Sequence, residues 1–290
     1  MDTLQGKVVV VTGGASGIGR ALAHAVAARG AHPVLADVEA SALDAAAAEI
    51  PGALAVRTDV SDLASVEALR DAVLGRHGRV DVLANIAGVS TFNAIADQTM
   101  DDWRWVLGVN LWGPINTVHT FLPVMRAQGT PAHIVNTASV AGILSGVAFI
   151  GPYAVSKVGV VSLSETLRQE VAIAGDPIGV SVLCPSATNT QMMEAERNRP
   201  AGMAPEARTE MAEGWRAAIG AQMTSDVGKE PGEVAAAVVD AILTDRFWVI
   251  THSDLTPAFE ARFAEIMANA PRDDAPRDAA PRDDAPREEQ

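Results

Sequence analysis

Thr12-Gly13-Gly14-Ala15-Ser16-Gly17-Ile18-Gly19 is a glycine-rich turn between an apolar run, Lys7 to Thr12, and a helical stretch, Ile18 to Arg29, closed by Gly30. Glycines in that setting let the chain turn sharply and approach a pyrophosphate, whose charge the N-terminus of the next helix favours. A merely tight turn would need no such run. The strand before it and the amphipathic helix after it favour the phosphate cradle.

The same alternation continues. Pro33 to Ala36, Ala53 to Arg57, Val80 to Asn85, His133 to Ala138, Gly179 to Leu183 and Trp248 to Ile250 read as strands. Between them, Glu39 to Ile50, Ser61 to Arg76 (with Ser61 as its cap), Asp101 to Gln128, Pro152 to Ala174 and Glu233 to Leu243 read as helices. Pro114 is expected to kink the third of these. Strand, helix, strand repeated this way implies a doubly wound parallel sheet of about seven strands, of Rossmann type, with helices on both faces. The expected domain spans residues 1–269. Residues 186 to about 230 break the rhythm and hold Met192, Met193, Met203, Met211, Met223 and Trp215. They read either as a helical insertion or as an apolar lid over a site, and their place beyond a strand's end favours the lid. The tail, residues 270–290, repeats APRDD-like pentads with four arginines against seven acids, a composition for a disordered, solvating segment.

Charge and composition exclude several classes. A formal charge of −14 is the wrong sign for nucleic acid or an anionic membrane surface. Residues 134 to 156 carry no charge, but Asn136, Pro152 and three glycines suit a buried strand and loop better than a membrane span. Nothing at the N-terminus reads as a signal peptide. The single cysteine, Cys184, fits a reducing cytoplasm, and no metal site is expected.

Three features carry chemistry. Asp37 ends the second strand, 18 residues after Gly19. A lone Asp there is commonly a helix cap, but beside the glycine turn it is placed to accept hydrogen bonds from a ribose and to repel a 2′-phosphate. Val38 and Glu39 bring no base, so NAD is expected rather than NADP. Tyr153, the only tyrosine, and Lys157 lie one helical turn apart. An ammonium there, with an oxidised nicotinamide, is expected to lower the phenol pKa towards neutrality. Ser139, just past a strand, is placed to hold a substrate oxygen near that phenol.

With these residues in view the chain resembles the short-chain dehydrogenase/reductase family in its compact single-domain branch. TGGASGIG is similar to that family's cofactor loop, and Asn85-Ile86-Ala87-Gly88 to its NNAG motif with one change. Asn110 in GVNLWG, Ser139 in NTASVAG and Tyr153 with Lys157 in YAVSK resemble its catalytic set. Cys184 to Thr190 resembles its PG-x-x-x-T stretch, with Ser186 in place of glycine. The resemblance implies cofactor contacts at Gly13, Ser16, Gly17, Ile18, Gly19, Asp37 and Val38, and adenine contacts at Asp59 and Val60. It also implies contacts at Asn85, Ala87, Gly88, Tyr153, Lys157, Pro185, Ser186, Thr188 and Thr190. Asn110 is expected to distort its helix and support a proton relay. Pairing of the two long helices implies a homotetramer or homodimer.

The implied reaction is NAD-dependent interconversion of a secondary alcohol and a ketone. Ser90, Phe92, Ile143, Leu144, Phe149, Met192, Met193 and Trp215 are the candidate substrate pocket and suggest a bulky apolar or aromatic substrate. A dinucleotide-sensing regulator on the same fold is the alternative, though such a protein has no need of the Tyr/Lys/Ser set. An extended-branch epimerase would need a larger substrate domain than residues 186–230 supply.

Overall fold

The computed structural model describes residues 1–270; the repeat tail lies outside the described residues from 271 on. Seven strands form one parallel sheet: β1 (Val8–Thr12), β2 (His32–Asp37), β3 (Leu54–Arg57), β4 (Val82–Asn85), β5 (Ala132–Thr137), β6 (Ile178–Cys184) and β7 (Trp248–Ile250). Their order is β3-β2-β1-β4-β5-β6-β7, with every pairing parallel. The order reverses between β1 and β4, which opens a crevice at the strands' C-terminal ends.

Strand periodicity assigns the core. Val8 and Val10 of β1 face the helices α3 (Leu63–His77), α5 (Gly113–Gln128) and α7 (Gly151–Ala174), among Leu69, Phe121 and Val160. Val9 and Val11 point the other way, onto α1 (Gly17–Ala27) and α9 (Pro231–Thr244), among Leu22, Val26 and Val238. Such a strand needs apolar side chains on both faces, hence the unbroken valine run. Each fully buried valine contributes about 1.5–3 kcal/mol. The remaining helices are α2 (Ala40–Ala48), α4 (Met100–Leu107), α6 (Val140–Leu144), α8 (Glu210–Met223) and α10 (Thr256–Ala268). Two compact units divide at residues 253/254: Met1–Ser253 holds the sheet, and α10 is the described helix of the second.

Several local expectations are corrected. The third helix starts at Leu63 and is capped by Asp62, whose carboxylate accepts the Ala64 N–H at 3.1 Å. Ser61 is instead turned back onto Asp59, donating at 2.6 Å. The expected helix Asp101 to Gln128 is three pieces: α4, a π-helical stretch Gly108–Trp112, and α5. Pro114 lies in the first turn of α5, directly after the π-helical stretch. Residues 134–156 are β5, α6 and the start of α7, and no helix among the described residues is long and apolar enough to cross a membrane.

Candidate active site

The glycine turn and the loop after β4 are pressed together at the crevice. Gly13 has φ +66, and a Cβ there would lie 2.8 Å from the Ala87 backbone. A Cβ on Gly19 would run into the Gly13 carbonyl. Thr12 ties the two loops: its hydroxyl accepts the N–H of Ile86 at 3.1 Å and of Ala87 at 3.3 Å. Ser16 precedes α1 without capping it through its side chain, so the first-turn N–H groups stay available to an anion.

Asp37 closes one end of the cleft. Its carboxylate accepts the Ala15 N–H at 3.0 Å and the Glu39 N–H at 3.1 Å, one on each oxygen. Burial pushes its pKa up, and those two backbone N–H groups partly offset that. Each oxygen keeps a lone pair for a further donor such as a ribose hydroxyl. The cleft beside it has a volume of about 470 Å³. Gly13, Ser16, Gly17, Ile18, Gly19, Asp37, Val38, Asp59, Val60, Ala87, Gly88, Tyr153, Lys157, Pro185, Thr190 and Met192 all line it. A cradle closed to any Cβ, a helix N-terminus and a carboxylate at the far end fit a dinucleotide.

Three expected contacts stand behind that wall. Asn85 faces the interior, donating to Asn136 at 2.8 Å and accepting from Thr117 at 2.7 Å. Thr188 is buried and donates to the Ser186 carbonyl at 3.1 Å, and neither residue lines the cleft. Ser186 also lies outside the positive-φ positions, so its backbone has no need of the glycine it replaces.

At the other end of the cleft, α7 carries Tyr153 and Lys157 on one face. Lys157 is 2% exposed and donates from Nζ to the Thr137 carbonyl at 2.8 Å. Burial pushes its pKa down to about 8. Ser139 caps α6, its Oγ accepting the Ala141 N–H at 3.2 Å and donating to the Pro185 carbonyl at 3.3 Å. Burial pushes the Tyr153 phenol up, and its hydrogen bond with Ser139 offsets only part of the rise. In the protein alone, Lys157 does not bring the phenol below its ordinary value. The ammonium lies 5.4 Å from the phenol ring centroid, is itself pressed towards neutrality, and is aimed at Thr137.

Asn110 sits in the π-helical stretch, fully buried. Its Oδ1 accepts the Val89 N–H at 2.8 Å, while Nδ2 donates to the Val89 carbonyl at 2.8 Å and to Ser156 Oγ at 3.2 Å. Ser156 in turn donates to the Tyr153 carbonyl at 2.6 Å. The widened turn thus clamps the loop carrying Gly88 to α7.

Above Tyr153 lies an apolar patch: Phe92, Ala141 and Ile150, with Val147, Met193 and Ile219 packed on them. Phe149 and Trp215 approach each other with ring centroids 5.8 Å apart. Ile143 belongs instead to the main core, and Ser90 is buried and turned to the Thr91 carbonyl. Leu144 is partly buried at the end of α6. Of the lid methionines, Met192 lines the cleft and Met193 covers the phenol, whereas Met223 is buried and Met211 is 71% exposed. Sequence reasoning placed Met192 and Met193 at a pocket but missed Gln191, Ala195, Arg197, Asn198 and Arg199 as walls of the cleft. Arg199 is buried on the Trp105 ring and pairs with Asp102 at 2.6 Å.

The site and sheet define a nucleotide-binding oxidoreductase, and comparison with known proteins makes the class specific. The family model for short chain dehydrogenases matches residues 7–201. The chain is 34% identical over 272 residues to a C alpha-dehydrogenase of Sphingobium sp. strain SYK-6, covering 92% of this chain and 87% of that one. It is 33% identical to the 1-deoxy-11-beta-hydroxypentalenate dehydrogenase of Streptomyces arenae, covering 92% and 90%. A short chain dehydrogenase/reductase of Burkholderia phymatum, solved in complex with NAD, superposes with a TM-score of 0.89 at 38% identity, covering 94% of this chain and 99% of that one. The chain belongs to the short-chain dehydrogenase/reductase family, whose members use a nicotinamide dinucleotide.

Proposed function

We propose that this protein is an NAD-dependent dehydrogenase that interconverts a secondary alcohol and a ketone on a bulky apolar substrate. The observation that carries the reading is the Tyr153 phenol, beside Ser139 and with the Lys157 ammonium 5.4 Å from its ring centroid, at one end of a cleft whose other end is Asp37. When bound, the nicotinamide dinucleotide supplies the hydride chemistry and, oxidised, a positive charge. Tyr153 takes the hydroxyl proton during oxidation and returns it during reduction. Ser139 holds the substrate oxygen against the phenol. Lys157 anchors the ribose side and, with Asn110, sustains the proton path behind Gly88. Asp37 favours an unphosphorylated ribose, which selects NAD.

The apolar roof of Phe92, Ile150, Met193 and Ile219 supports a hydrophobic substrate, and the name of the Streptomyces relative, a hydroxypentalenate dehydrogenase, agrees in kind. Trp112, Val155 and Val158 stand 56%, 50% and 41% exposed on the π-helical stretch and α7, which supports association through these helices into a homo-oligomer, a dimer or tetramer. The single cysteine, Cys184, supports a reducing, cytoplasmic setting. The test is Tyr153→Phe assayed against NAD and a panel of secondary alcohols: turnover falls at least about 10²-fold while NADH still binds. Wild-type turnover in that variant would refute the assignment.

A further inference from the structure

The segment that walls the cleft reaches across it to the adenosine end. Arg197 donates to one oxygen of Glu39 from Nε at 3.1 Å and pairs with it from Nη2 at 2.9 Å. Asn198 donates to the same oxygen at 2.8 Å. The remaining nitrogen of Arg197, Nη1, donates to the carbonyls of Gln191 and Glu194, each at 3.0 Å. Two backbone carbonyls therefore aim the guanidinium, and its other edge is spent on Glu39.

Glu39 follows closely on Asp37 and gives it its backbone N–H. Glu39 and Arg197 both line the cleft there, with Asp37 and Val38. A planar guanidinium edge with two N–H groups is the donor set that recognises phosphate oxygens. We propose that Arg197 is a second determinant of cofactor choice: Glu39 keeps it neutralised, and without that carboxylate it would hold a phosphate on the adenosine 2′-position. This rests on the cleft being a dinucleotide site. The carboxylate at position 39 then excludes NADP by occupying the cation, and the one at position 37 excludes it by direct repulsion. Arg57, which donates to the Val38 carbonyl at 3.4 Å, is a second cation beside this end and the natural control.

Glu39 makes no side-chain cap on α2, so its neutralisation removes no helix cap. The experiment uses the full chain carrying Asp37→Ser, with and without Glu39→Gln. Calorimetry gives the Kd of AMP and of adenosine 2′,5′-bisphosphate for each. The expected result is that Glu39→Gln tightens the bisphosphate by about tenfold or more and leaves AMP nearly unchanged. Adding Arg197→Gln abolishes that gain, and adding Arg57→Gln does not. If Glu39→Gln lowers the melting temperature sharply, Glu39→Ser repeats the comparison. A gain that survives Arg197→Gln, or no gain with AMP still bound, overturns this inference alone. Failure of every variant and the wild type to bind either nucleotide overturns both it and the dinucleotide reading.

Discussion

Lys157→Met should make the protein more stable and inactive. The native amine is 2% exposed, and burial moves its pKa from the ordinary 10.5 to about 8. At about 1.36 kcal/mol per pH unit, holding it charged in that environment at pH 7 costs about 3 kcal/mol relative to the unfolded chain. Methionine removes that cost but leaves the Thr137 carbonyl without its donor, a loss of about 1–2 kcal/mol. The net gain is about 1–2 kcal/mol, or a rise in Tm of about 2–8 °C for a chain of this size. The sign changes with pH in a defined way. Between about 8 and 10.5 the unfolded chain carries the proton and the folded one does not, so wild-type stability rises through that window. The advantage of the methionine variant should therefore be largest below pH 8 and shrink as pH approaches 10.5. Urea denaturation of both proteins, without cofactor, at neutral and at alkaline pH measures this. A variant less stable than wild type at pH 7 by the same margin as at alkaline pH would refute the reasoning.

Other outcomes follow from the same geometry. Asp37→Ser should shift the kcat/KM ratio of NADP to NAD by about 10²- to 10³-fold, since two charges near 4 Å at an effective dielectric of 20 interact by about 4 kcal/mol; an unchanged ratio contradicts the role given to that carboxylate. Gly13→Val places a branched side chain at φ +66 against Ala87, and should destabilise by about 2 kcal/mol or more and abolish NADH binding by fluorescence titration. Trp112→Glu, on a surface tryptophan, should leave the Tm within a few degrees and lower the mass seen by light scattering; an unchanged mass removes this face from the assembly.

Much of the fold could be read before the structure because strand and helix periods differ and because a two-faced strand such as Val8–Thr12 must be apolar throughout. The cleft ends were legible for a related reason: glycine, the Asp37 strand end and the Tyr153/Lys157 spacing are local. What failed was non-local. Ser61 and Asp62 are both capping types, and only the bond of Ser61 to Asp59 leaves the cap to Asp62. The π-helical turn at Asn110 leaves no mark in a hydrophobic period; only the family resemblance anticipated a distorted helix there, and the Val89 backbone on another loop holds it. Arg197 and Glu39 stand 158 residues apart, so no spacing announced their meeting. Proximity along a helix says nothing of burial, which raises the phenol pKa in the protein alone; the lowering expected from the ammonium and an oxidised nicotinamide together needs the cofactor.

Tyr153 is the chain's only tyrosine, so tyrosinate absorbance titrates that one group in the intact protein. Without cofactor, burial should hold its pKa above the ordinary 10.0. Saturating NAD brings a positive charge into the same cleft and should pull the titration to lower pH, while NADH should move it less. A phenol that titrates identically with and without NAD would contradict its assignment as the acid and base of this site, and one that ionises below 10 in the free protein would contradict the dominance of burial.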